Sequence, residues 1–359
     1  MKPNIFILSK AIQTGKTTAL MQWCNTQKNI AGIVTPDIEG NRKLFDIEQN
    51  KFYDFEVKNP LLTDEITPIG KFNFYTNIFT KAQQIITNSV ANYLIIDEIG
   101  RLELNQNRGL EPALSKVIST YTNHQAKGCL ILVIRDYLLE DCIKKYQLQQ
   151  AKIIQDTAEI TTENECVGVV LAGGKSSRMT TDKAFLNYHG NAQIYYLAEQ
   201  LKMVCYEVLL SINHEQESKI DNVFEYAVDS EKYKDSGPIN GLLTTHEKYP
   251  NKPLIVLACD YPLLNLTDIL NLKYTFLKHQ KTTTFYNHQT GFREPLLGVY
   301  HPNDLAKLLA FYKDGNTSIQ LFLNTIDAIK LEPTNLQNIK SIDNPSDLEA
   351  IKNQINSLV

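Results

Sequence analysis

The chain has no apolar run approaching the roughly 20 residues that a membrane-spanning helix needs. Its longer runs, such as Leu130–Ile134 and Val167–Ala172, are strand-sized. The opening Met-Lys-Pro-Asn leads straight into Ile5-Phe6-Ile7-Leu8 with no small-residue cleavage site behind it, so a buried strand is expected there rather than a secretion signal. Six cysteines (Cys24, Cys129, Cys142, Cys166, Cys205, Cys259) show no C-x-x-C pair and no regular spacing. This excludes a disulfide framework or a zinc site and fits a reducing, cytoplasmic setting. The seven histidines are equally scattered, and His189 and His214 read as ordinary surface residues. Positive charge is not in excess, with 36 Lys+Arg against 40 Asp+Glu and a net charge of −4. A broad nucleic-acid-binding face is thereby excluded, while a local basic pocket for a small phosphorylated ligand is not.

What is present is ordinary globular material: 359 residues, 43% hydrophobic and 21% charged, enough for two buried cores. Short β-branched runs alternate with stretches of helical period, the pattern of α/β units with mostly parallel sheets. In the first half, strands are expected at Ile5–Leu8, Gly32–Val34, Tyr93–Asp97 and Leu130–Ile134, with helices over Thr17–Thr26, Phe79–Ser89 and Glu111–Thr122. Lys43–Lys58 alternates around Asn50 and predicts an antiparallel hairpin inserted between units. The polar stretch Thr157–Glu165 marks a boundary, giving domains over residues 1–157 and 166–359. The second half restarts the pattern with strands at Val167–Leu171, Glu207–Ile212, Glu225–Val228, Leu254–Cys259 and Thr282–Tyr286. Helices are expected there over Asn191–Lys202, Pro238–Lys248 and Thr267–Lys278.

The most informative stretch is V-G-V-V-L-A-G-G-K-S-S-R-M-T-T-D-K-A-F-L, Val167 to Leu186. A strand ends at Leu171, and Ala172-Gly173-Gly174 lets backbone N–H groups approach a ligand and cradle phosphate oxygens. Arg178 and Lys183 bring two cations to the same region, suited to a polyphosphate leaving group. A bare Gly-Gly pair is usually only a tight turn; the two cations at this spacing favour a phosphate site. Asp260 follows the hydrophobic strand Leu254-Ile255-Val256-Leu257, at the strand end where doubly wound sheets hold their ligands. A lone Asp there is usually a turn or cap residue. Beside the glycine loop, and followed by Tyr261-Pro262, it reads better as a Mg²⁺ ligand. Cys259 reads as a small core residue.

L-A-G-G-K-S-S-R-M-x-x-D-K-A resembles the opening motif of molybdenum cofactor guanylyltransferases. The resemblance continues through Val208–Asn213, Val228-Asp229, Gly237–Leu242, Ala258–Pro262, Arg293–Leu296 and Ser341–Leu348. It implies a Rossmann-like nucleotidyltransferase domain that joins the GMP part of GTP to molybdenum-molybdopterin and releases pyrophosphate. It further implies that Leu171, Ala172 and Gly173 contact the nucleotide, with Lys183 on its phosphates, to which the residue pattern itself adds Gly174 and Arg178. Asn213 and Asp229 would bind the guanosine side, and Asp260 would hold Mg²⁺. The nucleophile would be a phosphate monoester, so positioning and charge neutralisation would carry catalysis without a strong base. The chain departs from the family's pattern in carrying Thr180-Thr181 where Gly is usual after Arg-Met. It also has Ser341, Asp343 and Asn344 near the end, a segment that reads either as pterin-lining or as a plain turn and cap. Molybdoenzyme apoproteins or their chaperones are the protein partners the resemblance implies.

In the first half, Thr14-Gly15-Lys16-Thr17-Thr18 matches the end of a Walker A loop, in which Lys16 reaches phosphates and the Thr17 hydroxyl binds Mg²⁺. Lys10 stands where that loop's first Gly is usual, and Gln13 where another small residue is common. The strand Tyr93–Ile96 delivers Asp97 and Glu98, the first suited to the magnesium shell and the second to orienting or activating water. T-G-K-T-T and I-I-D-E-I-G-R-L-E-L together resemble small prokaryotic P-loop nucleoside triphosphatases. The resemblance implies a second nucleoside triphosphate bound at Gly15, Lys16, Thr17 and Thr18, either hydrolysed or merely held. The fusion suggests service to the transferase in cis. Transfer of another nucleotide, such as CMP to the same acceptor, or a nucleotide-sensing scaffold are the competing readings. The order Leu171-Ala172-Gly173-Gly174 favours the guanylyl branch over the cytidylyl one.

Overall fold

The computed structural model describes residues 4–10, 15–160, 166–174, 182–221, 223–342 and 345–358. The chain divides into two compact units, Met1–Glu163 and Asn164–Val359. Among the described residues, no helix is long and apolar enough to cross a membrane.

The first unit begins with β1 (Ile5–Lys10), α1 (Lys16–Cys24), β2 (Ile30–Val34), β3 (Asp37–Ile38), β4 (Asn41–Asp46) and β5 (Lys51–Asp54). Then come β6 (Glu56–Val57), β7 (Ile66–Ile69), β8 (Phe72–Tyr75), α2 (Thr76–Asn88) and β9 (Tyr93–Ile99). It closes with α3 (Arg101–Gln106), α4 (Ala113–Thr122), β10 (Cys129–Arg135), α5 (Leu139–Tyr146) and β11 (Lys152–Ile154). The main sheet runs β11-β1-β10-β9-β2-β4-β3, with β5 added to β4. From β11 to β2 every pair is parallel, and these strands read as continuous apolar runs because helices cover both faces of such a sheet. The hairpin around Asn50 forms, β4 against β5, but it is no separate insertion: β4 also pairs antiparallel with β2 and widens the main sheet. β6, β8 and β7 make a small antiparallel sheet that sequence periodicity did not predict. One core gathers Phe6, Leu8, Leu20, Trp23, Val34, Ile95, Ile131 and Val133, with the Trp23 ring edge-on to Tyr93 at 5.0 Å.

The second unit contains β12 (Val167–Leu171), α6 (Gln193–Val204), β13 (Glu207–Ile212), β14 (Glu225–Val228), α7 (Pro238–Lys248) and β15 (Leu254–Ala258). It continues with α8 (Leu266–His279), β16 (Thr283–Asn287), β17 (Phe292–Tyr300), α9 (Pro302–Lys313), α10 (Ile319–Leu323), β18 (Ile329–Leu331) and α11 (Pro345–Leu358). Its sheet order is β14-β13-β12-β15-β17-β16-β18. β14 to β15 are parallel, and β17 runs antiparallel to both of its neighbours. Every residue of β12 and β15 is buried. The chain leaves β12 toward β13 on one side and later returns to β15 on the other, so the ends of β12 and β15 form a topological switch point, where open α/β sheets leave a crevice. α7 packs closely over that crevice: a Cβ on Gly241 would lie 2.4 Å from Ser211 Oγ and 2.7 Å from Leu171 Cδ2.

Candidate functional site

A cavity of about 500 Å³ opens at this switch point. Leu171, Ala172, Gly173 and Gly174 line it from the end of β12, Asp229 from the end of β14, and Asp260 from the end of β15. Lys183 stands on a 3₁₀ turn (Lys183–Phe185) that Asp182 caps by accepting the Ala184 N–H at 3.1 Å. Its ammonium lies 3.4 Å from an Asp260 carboxylate oxygen, and only 14% of the Lys183 side chain is exposed against 36% for Asp260. The two opposite charges thus face each other on the wall of the cavity. Tyr188 also senses Asp260: burial first, and then that carboxylate, raises its phenol well above the usual value.

Gly173 is required by space. A Cβ there would meet Asp229 Oδ2 at 2.6 Å, so any side chain would displace the carboxylate or the loop. Asp229 is itself perturbed, its carboxyl raised to about 6 by burial and only partly countered by His214. Asn240, on the first turn of α7, fixes the segment beside Asp229. Its Oδ1 accepts the Ser230 N–H at 2.8 Å, and its Nδ2 donates to the Ser230 carbonyl at 3.0 Å.

Asn213 does not point a free amide into the cavity. Its Nδ2 donates to the Gly173 carbonyl at 3.2 Å, and its Oδ1 accepts the Gln216 N–H at 3.1 Å. Gln216, which sequence reasoning missed, is the hub of this arrangement. It is buried, its Nε2 donates to the Ala172 carbonyl at 2.9 Å and to Asp182 Oδ2 at 2.7 Å, and its Oε1 accepts the Asn213 N–H at 2.9 Å. One side chain thus ties the glycine loop to the turn carrying Lys183. The signal was present as N-x-x-Q, Asn213 followed three residues later by Gln216, the capping-box pattern. Glu294 is likewise engaged, accepting the Tyr261 hydroxyl at 2.8 Å. Cys259 is buried, which raises its thiol well above the usual range and makes it an inert core residue. His214 is exposed; His189 is exposed too but not idle, since Nε2 sits 2.8 Å from the Pro262 carbonyl and its ring stacks on Tyr196 at 4.0 Å. Arg178, Thr180, Thr181, Asp343 and Asn344 lie outside the described residues.

In the first unit, Gly15 precedes α1 in a left-handed conformation (φ +74°) open to few residues besides glycine, and Lys16, Thr17 and Thr18 form the helix's first turn. The Thr17 hydroxyl donates to Asp97 Oδ2 at 3.2 Å, and the same oxygen accepts the Thr35 N–H at 3.1 Å. Asp97 is buried, and burial, with Glu98 beside it, raises its carboxyl. Burial lowers the Lys16 ammonium, against the opposing pull of Asp136 and Asp97. The hydroxyl at the start of α1 and the strand-end aspartate are therefore in contact. Glu98 is held elsewhere: its Oε1 accepts from Arg42 at 2.9 Å and its Oε2 from Arg135 at 3.3 Å.

Fold and site together define a nucleotidyltransferase joined to a P-loop nucleotide-binding domain. The family model of the MobA-like NTP transferase domain matches residues 168–328, and the model described as NTPase matches residues 4–164. A molybdenum cofactor biosynthesis bifunctional protein of Synechocystis sp. is 30% identical over 208 residues, which cover 56% of this chain and 58% of that protein. A probable molybdenum cofactor guanylyltransferase of Geobacillus sp. is 30% identical over 144 residues, covering 38% of this chain and 71% of that protein. One of Methanocaldococcus jannaschii is 25% identical over 184 residues, covering 49% and 90% respectively. The chain belongs to the molybdenum cofactor guanylyltransferase family.

Proposed function

We propose that the second unit transfers GMP from GTP to the phosphate of molybdenum-molybdopterin and releases pyrophosphate, and that the first unit binds a second nucleoside triphosphate. The observation that carries the reading is the convergence of the glycine loop, Lys183 and Asp260 on one cavity at the switch point. An oxygen of the pterin's phosphate attacks the α-phosphorus of GTP, the bond from that phosphorus to the β-bridging oxygen breaks, and pyrophosphate leaves. The attacking group is already anionic, so no proton need be removed. Backbone N–H groups of Gly173 and Gly174 bind phosphate oxygens, the Ala172 N–H being given to the Ser211 carbonyl at 2.8 Å, and Lys183 neutralises the departing pyrophosphate. Asp229, a carboxylate above about pH 6, accepts hydrogen bonds from the nucleoside. Asn213 acts on the nucleotide through the Gly173 carbonyl it holds.

Asp260 fits Mg²⁺: a partly exposed carboxylate on the cavity wall suits an ion that takes few protein oxygens and completes its shell with substrate phosphates and water. Bound there, Mg²⁺ would supply charge neutralisation at the phosphates. In the first unit Thr17 and Asp97 offer the corresponding oxygens. The fusion places both nucleotide sites in one chain, and the cytoplasm, where GTP is abundant, suits both. The reading is tested by pterin-dependent pyrophosphate release with GTP, CTP, ATP and UTP compared. GTP should be preferred, and release that ignores the pterin would refute it.

A further inference from the structure

The first unit carries a second cavity, of about 450 Å³, whose wall meets the P-loop site at Asp97. Its floor is aromatic. Phe55 lies between Phe74 and Phe79 with ring centroids 4.7 and 4.9 Å away, and Phe72, 37% exposed, stands at the edge. Arg42 comes from β4 and Arg135 from the end of β10, and both close on the two oxygens of the Glu98 carboxylate, which also borders the cavity. Two planar guanidinium groups converging on one small oxyanion form a recognition geometry for carboxylate or phosphate. Lys71 and Arg101 add positive charge to the lining. The acidic residues there beside Glu98 are Asp97 and Glu103. Four cationic side chains thus stand against three carboxylates in the lining. Glu98 reaches its position with φ at +63°, a conformation residues other than glycine adopt sparingly and one that recurs at ligand-binding and switch positions.

We propose that this cavity binds a small aromatic phosphomonoester, its ring on the phenylalanine floor and its phosphate replacing the Glu98 carboxylate between Arg42 and Arg135. Glu98 then acts as a built-in competitor that holds the arginines in place until the ligand arrives. The inference does not depend on the transferase activity of the second unit.

The test is calorimetric titration of the full chain with 2-naphthyl phosphate, using 2-naphthol and inorganic phosphate as controls. Each control should bind at least about tenfold more weakly, because each lacks one half of the recognised chemistry. Arg42→Gln and Arg135→Gln should each weaken binding by about tenfold or more, whereas Glu98→Gln, which removes the competing charge, should tighten it by about tenfold. Lys183→Ala, in the other unit, should leave the affinity unchanged. Absence of binding, insensitivity to both arginine changes, loss in Lys183→Ala, or unchanged or weaker binding in Glu98→Gln would each overturn the proposal. Circular dichroism verifies the fold of each variant, and if an arginine variant is unfolded, the sign of the Glu98→Gln effect decides alone.

Discussion

Lys183 and Asp260 face each other at 3.4 Å beside the crevice of the second unit, one on the turn that follows the glycine loop and the other at the end of β15. In the proposed reaction Lys183 serves the phosphates and Asp260 the metal, so the two members of the pair should fail differently. Asp260→Ala should lower the rate of pyrophosphate release by about 10²–10³-fold or more at saturating GTP. Lys183→Ala should lower it by about 10²-fold and raise the KM for GTP as well. Equal activity of either variant and the parent, in steady-state pyrophosphate assays, would contradict the assignment.

Gln216 should matter without touching substrate. Gln216→Ala leaves the Ala172 carbonyl and the Asn213 N–H without this partner in a buried place, a cost of about 1–3 kcal/mol in chemical denaturation. Because the same side chain also holds Asp182, the KM for GTP should rise in a variant that remains folded. A variant with unchanged stability and unchanged KM would show that the loop and the turn hold their geometry independently.

Gly173→Ala tests the close approach of the loop to Asp229. The added methyl carbon would lie 2.6 Å from Asp229 Oδ2, well inside contact distance, so either the carboxylate or the loop must move. GTP affinity measured by calorimetry should fall by about tenfold or more, with little change in global stability because the loop is only partly buried.

Asp229 carries a pH signature. Its carboxyl ordinarily ionises near 3.8 and is raised to about 6 in the fold, chiefly by burial. Between these values the native state holds a proton that the unfolded chain has lost, so this group's contribution to stability grows as pH falls from about 6 toward 4 and diminishes as pH rises through 6. Nucleotide binding should move the opposite way, weakening below pH 6 as the carboxylate becomes protonated. Asp229→Asn should flatten both profiles, which thermal denaturation and GTP titration between pH 5 and 8 would detect.

Much of this was legible in the sequence, for reasons that can be named. β12, β13 and β14 fall on the runs Val167–Leu171, Glu207–Ile212 and Glu225–Val228, and α7 on Pro238–Lys248, because apolar runs and an N-terminal proline are local signals. β17 was hidden because Arg293, Glu294 and Pro295 interrupt its apolar residues. The sheet absorbs the proline by a register shift, with Phe285 opposite Glu294 and Thr284 opposite Gly298. β6, β7 and β8 were missed because strands of two to four residues carry too little periodicity to register. Within the sites, glycine, lysine and aspartate announce themselves as motifs. The arginine grip on Glu98 does not, since Arg42 and Arg135 are distant in sequence and converge only once β4 joins the main sheet.

The central claim is most directly tested by pyrophosphate release from the full chain with Mg²⁺, GTP and molybdenum-molybdopterin, run beside Asp260→Ala and Lys16→Ala. The account predicts release that requires the pterin, prefers GTP, is lost in Asp260→Ala and persists in Lys16→Ala. Release that is independent of the pterin, or that survives Asp260→Ala and disappears in Lys16→Ala, would contradict it and place the chemistry at the P-loop.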